Sequence, residues 1–192
     1  MRLALQKLVL GITAAVSLGA LPHSGFAQIT SNSASVALTA TLPESLTISA
    51  TPSSVTFTLH PSSVSTASAP IAITTTWNTS TVEGNLALDA YFASTSAALS
   101  YAGSPVVNIP ASAVLGQVAT GLPTSYTAFT QTGHVTSATA SATLELFNVT
   151  LTSANRSGTR SDNLALEINL ASLPQIPAAT YTGTLVLLAQ AY

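Results

Sequence analysis

Side chains able to carry acid, base or metal chemistry are scarce in this 192-residue chain. Beyond residue 27 the histidines are His60 and His134, and neither has a second histidine or a carboxylate at metal-ligand spacing. Hydroxyls abound, but no Gly-x-Ser-x-Gly elbow is present. A Ser-His-Asp triad would have to be assembled from His60 or His134 with Asp89 or Asp162. Glycoside cleavage needs two facing carboxylates. Glu83 and Asp89 flank a turn and a strand, and Glu145 and Glu167 fall at outward positions of alternating segments, where a solvated face is expected. The sequence therefore predicts no catalytic residue, no cofactor and no metal site. Trp77, the single tryptophan, is either a stacking platform for a sugar ring or a filler between two sheets, and the alternation leading up to it favours the interior.

Composition narrows the field further. Charged residues make up 5% of the chain, against about 25% in an average soluble protein. After the first ten residues Arg156 and Arg160 stand alone against six acids, a formal −4. A nucleic-acid binder needs a cluster of Lys and Arg for phosphate contacts, so that class is excluded. With no cysteine there is no disulfide framework, thiolate zinc site, iron-sulfur cluster or cysteine nucleophile. The Arg156 to Asp162 segment holds both of these arginines and is expected to be a solvated hairpin tip.

The N-terminus reads as an export signal, residues 1–27. Arg2 and Lys7 form a positive start, an apolar run from Leu8 continues to about Leu21, and Pro22 breaks it. Gly25-Phe26-Ala27 places small residues where signal peptidase cleaves, so residues 28–192 are the expected mature chain. No later stretch has the roughly 18 apolar residues of a membrane span. The expected location is across the inner membrane, in the periplasm, at the cell surface or outside the cell.

The elements that must position these side chains are strands. Residues 28–192 contain 28 Thr and 24 Ser, and β-branched residues dominate the apolar set; such residues favour pleated, half-buried surfaces. Apolar residues alternate at Val36, Leu38, Ala40 and Leu42, at Leu46 and Ile48, and at Val55, Phe57 and Leu59. The pattern recurs from Ile71 to Trp77, at Leu86, Leu88 and Ala90, at Leu144 and Leu146, and from Leu164 to Leu170. Turn signals fall between, at Thr51-Pro52-Ser53-Ser54, Glu83-Gly84-Asn85, Ala102-Gly103-Ser104-Pro105, Gly121-Leu122-Pro123 and Ser157-Gly158-Thr159. One helical turn is expected near Ile109 to Leu115, opened by Pro110. This rhythm predicts a single all-β domain over residues 28–192, an antiparallel sandwich of about seven to nine strands.

The opening Ala34-Ser35-Val36-Ala37-Leu38-Thr39-Ala40-Thr41-Leu42-Pro43-Glu44-Ser45-Leu46-Thr47-Ile48-Ser49 and the closing Leu173 to Leu187, with its Pro177-Ala178-Ala179-Thr180-Tyr181-Thr182-Gly183-Thr184 core, carry a resemblance. Together they resemble secreted bacterial β-sandwich proteins of the spore coat protein U and chaperone/usher pilin type. The likeness covers about forty residues at the two ends, with Ala179 where the family usually has Gly and without the cysteine pair of many members. It implies an immunoglobulin-like sandwich used as a surface or fibre subunit.

The leading expectation is an exported, non-enzymatic structural or adhesive protein of a bacterial envelope, with self-association or fimbrial partners joined through strand addition. The alternative is a secreted carbohydrate-binding module with a glycan ligand held by Trp77, Tyr91, Tyr101 or Tyr126. A hydrolase would bring two or more of His60, His134, Asp89 and Asp162 to one serine. Residues 28–42 hold the candidate assembly strand Val36, Leu38, Ala40 and Leu42, ended by Pro43. The same pattern serves a first strand paired within its own sandwich, the default expectation, or a strand donated to a neighbour.

Overall fold

The computed structural model describes residues 32–173 and 175–192, so the expected export segment and residues 28–31 lie outside the described residues. The chain divides after Ala40. In the first part, the described residues 32–40 carry no regular secondary structure, and Val36 and Leu38 are exposed. In the second, residues 41–44 are likewise without a strand and Leu42 is exposed. The default expectation that Val36, Leu38, Ala40 and Leu42 form a first strand within their own sandwich is therefore not met. Alternation reports that one side of a segment is apolar; it does not supply the partner edge that makes a strand.

Eleven strands follow: β1 (Ser45–Thr51), β2 (Val64–Thr66), β3 (Ile71–Asn78), β4 (Asn85–Tyr91), β5 (Leu99–Tyr101), β6 (Val107–Ile109), β7 (Val114–Val118), β8 (Thr127–Ala128), β9 (Thr143–Thr150), β10 (Ser157–Asn169) and β11 (Val186–Ala191). The excess over the expected seven to nine comes from β2, β5, β6 and β8, which have only two or three residues each. One antiparallel sheet runs β1-β3-β10-β7-β8, with β2 also paired to β10, a second runs β11-β4-β9, and β5 and β6 form a separate hairpin. Among the described residues a single 3-10 turn, Ala111–Ala113, follows Pro110 as expected.

The inner faces of the two main sheets meet in one core. Ile73, Leu164, Ile168, Val114 and Val118 come from the first sheet, and Leu86, Leu88, Leu144 and Leu146 from the second, all buried. Phe92 and Phe129 lock against each other edge to face, with ring centroids 5.0 Å apart. Strand β3 shows how the sequence builds this layer. Ile71, Ile73, Thr75 and Trp77 point inward while Ala72 and Thr76 face solvent.

Two sequence expectations change here. Val55, Phe57 and Leu59 lie in no strand; only an isolated bridge joins Phe57 to Ala67. Ser157-Gly158-Thr159 is not a turn, and the segment from Ser157 to Asp162 is no hairpin tip, because both belong to β10, paired from Ser157 opposite Asn78 to Leu164 opposite Ile71. Glycine at 158 serves packing here: a Cβ there would stand 2.7 Å from Trp77 Cζ2. Gly158 therefore makes room for the indole in the middle of a sheet, where local propensity alone reads as a turn.

Candidate functional site

Two places in the fold gather the residues of interest. The first is an open cleft of about 920 Å³. Val55, Phe57, Leu59, Ile176, Leu185 and Leu187 line it. The buried core residues Ile71, Phe92, Val114 and Ile168 also border it. No charged side chain is among its lining residues. It adjoins the start of β11, the edge strand of the three-stranded sheet. An edge strand leaves a row of backbone N–H and C=O groups without ladder partners, so an apolar cleft beside one suits an extended peptide that alternates in hydrophobicity.

The second place is the outer face of the three-stranded sheet, where loop 129–142 crosses it. Asp89 of β4 is fully buried beneath the loop. Its Oδ2 accepts the Val135 N–H at 2.8 Å, while Oδ1 has no hydrogen-bond partner among the described residues. Burial pushes its carboxyl above the usual carboxylate range, opposed by the Val135 hydrogen bond and the nearby His134. His134 Nε2 lies 2.6 Å from Glu145 Oε2, and its Nδ1 lies 3.1 Å from the Tyr192 hydroxyl. The His134 and Tyr192 rings stack, with planes 8° apart.

The other candidates are dispersed. His60 is exposed, and its backbone N–H donates to Ser65 Oγ. Asp162 is buried and held by both Arg160 Nε (2.7 Å) and the Thr120 hydroxyl (3.2 Å). The Arg160 guanidinium also lies 4.9 Å from the centre of the Phe147 ring. Arg156 donates to the backbone carbonyls of Ser80 and Glu83. Glu83 accepts the Ser80 hydroxyl at 2.7 Å, which holds its carboxyl below the usual range. Trp77 is buried, and its indole N–H donates to the Asn155 carbonyl, so its face is not available as a sugar platform. Tyr91 and Tyr101 are half-buried, and Tyr126 is exposed.

Among the described residues, no serine hydroxyl is hydrogen-bonded to a side chain of His60, His134, Asp89 or Asp162. No three His, Asp or Glu side chains among them converge as metal ligands, and no helix is long and apolar enough to cross a membrane. Sequence reasoning missed the pairing of His134 with Glu145, because a loop and a strand bring them together without motif spacing. One signal for Asp89 was present: a lone acid inside the apolar run Leu86 to Ala90. No family model, curated protein or solved structure matches this chain.

Proposed function

We propose that this chain is an exported, non-catalytic structural or adhesive protein of a bacterial envelope. Its copies associate by strand addition, with Val36, Leu38, Ala40 and Leu42 of one copy entering the cleft beside β11 of another. The observation that carries this reading is a complementarity within one chain. An uncharged apolar cleft lies beside an edge strand, and a segment of alternating apolar residues has no strand partner and leaves Val36, Leu38 and Leu42 exposed.

Association would satisfy the backbone of both segments and would bury the three large side chains at about 1–2 kcal/mol each. A surface with few charges favours close contact and does little to keep copies apart. The resemblance of the chain ends to spore coat protein U and pilin-type sandwiches supports the same reading.

Deleting residues 28–42 from the exported chain tests it. The truncated protein is expected to fold, to run as a monomer, and to capture a synthetic peptide of residues 33–43, with β11 amides gaining protection on capture. A truncated chain that folds but ignores the peptide, or an intact chain that stays strictly monomeric at high concentration, overturns the reading.

A further inference from the structure

Loop 129–142 is tied to the outer face of the three-stranded sheet at points that converge on titratable side chains. Its Val135 N–H donates to the buried Asp89, and Gly133 presses so closely on that carboxylate that a Cβ would overlap it. Its Thr136 donates both its backbone N–H (2.8 Å) and its hydroxyl (3.1 Å) to Gln190 Oε1 on β11. Its His134 bridges Glu145 of β9 and Tyr192, the residue after β11. Gln131 Oε1 accepts the Glu145 N–H at 2.8 Å.

We propose that residues 131–142 form a pH-sensitive clasp, closed in acidic medium over Asp89 and opened as the pH rises, which frees the end of β11. The groups facing one another come from every element packed at this spot. Strand β4 supplies Asp89, β9 supplies Glu145, and the loop supplies His134. The end of β11 supplies the uncharged Gln190, with the Tyr192 phenol beyond it. The two arginines among the described residues are engaged elsewhere, Arg160 by Asp162 and Arg156 by two backbone carbonyls.

In acid, a protonated Asp89 is a neutral group beneath the loop, and its burial there costs little. Rising pH takes the proton from Asp89, whose Oδ1 has no hydrogen-bond partner among the described residues. The negative charge then forms in a buried place, and among the described residues neither arginine pairs with it. Lifting the loop lets the carboxylate reach water. The upward shift of Asp89 on burial has the matching sign: it favours the closed state at low pH, a contribution lost as pH rises through the raised value. The clasp does not depend on the assembly reading, since its ties lie within a single chain.

Hydrogen exchange of the full chain at about pH 4 and about pH 8, corrected for intrinsic rates, tests the clasp directly. Protection of residues 131–142 and of the last residues of β11 is expected to fall by about tenfold or more at the higher pH, while β3 and β10 keep theirs. The Asp89→Asn variant is expected to lose most of this pH response. His134→Gln, altering an exposed side chain, is expected to loosen the loop already in acid. The proposal is overturned if loop protection is the same at both pH values, or if β3 and β10 lose protection in parallel. It is equally overturned if neither variant changes the response; should Asp89→Asn not fold, His134→Gln alone decides.

Discussion

The indole N–H of Trp77 donates to the backbone carbonyl of Asn155 at 2.9 Å, tying the end of β3 to the turn that leads into β10. The ring itself lies against Gly158, where there is no room for a side chain. Trp77→Phe keeps most of the apolar fill but leaves that carbonyl without its donor, so a loss of about 1–2 kcal/mol in urea unfolding is expected. In the unmutated chain, Trp77 emission is expected to be blue-shifted and unaffected by iodide or by added polysaccharides. A red-shifted emission quenched by glycans would instead favour the carbohydrate-binding alternative.

Asp162 and Arg160 form a fork, with Nε to Oδ2 at 2.7 Å and a second guanidinium nitrogen to Oδ1 at 2.9 Å. The carboxylate is buried, whereas the guanidinium keeps part of its surface in water. Asp162→Ala would strand a cation over Phe147 and release the Thr120 hydroxyl, at an expected cost of about 3 kcal/mol. Replacing both Arg160 and Asp162 by apolar residues is expected to cost less than the single change, which a double-mutant cycle measures.

Gly116 sits on the inner face of β7, where a Cβ would lie 2.5 Å from Leu144 Cδ2 and 3.1 Å from Leu164 Cδ1. The two sheets approach closely at this point. Gly116→Ala is expected to destabilise the fold by about 1–3 kcal/mol, because Leu144 must leave its packed position. A fall in Tm with circular dichroism otherwise unchanged would check it.

Stability as a function of pH tests the environment of Asp89. Burial raises its carboxyl pKa in the folded state, so its favourable contribution is complete below the ordinary carboxylate range and is lost as pH climbs through the raised value. Asp89→Asn holds a neutral group at every pH and retains an oxygen for the Val135 N–H. Urea midpoints of the two proteins are expected to converge in acid and to separate toward neutral and alkaline pH, with the Asn variant the more stable there.

Much of the architecture is legible in the chain itself. Period-two alternation in Ile71 to Trp77, Leu86 to Ala90 and Leu164 to Leu170 marks β3, β4 and β10 because a strand presents successive side chains to opposite faces. Pro110 marks the single 3-10 turn because its fixed φ suits the residue that opens such a turn. Alternation could not say which apolar segments find a partner. Leu46 and Ile48 lie in β1 because Ser45 to Thr51 runs alongside β3, whereas Val55, Phe57 and Leu59 share the same period and border an open cleft. Strand pairing is a property of two segments, and one segment's pattern carries half of it. Gly158 reads as a turn residue until Trp77, 81 residues before it and across the sheet, claims the space its side chain would fill. Asp89 and His134 fail every motif for the same reason: the carboxylate's burial and the imidazole's pairing with Glu145 come from loop 129–142 folding over the sheet, a contact between distant parts of the chain that no local spacing encodes.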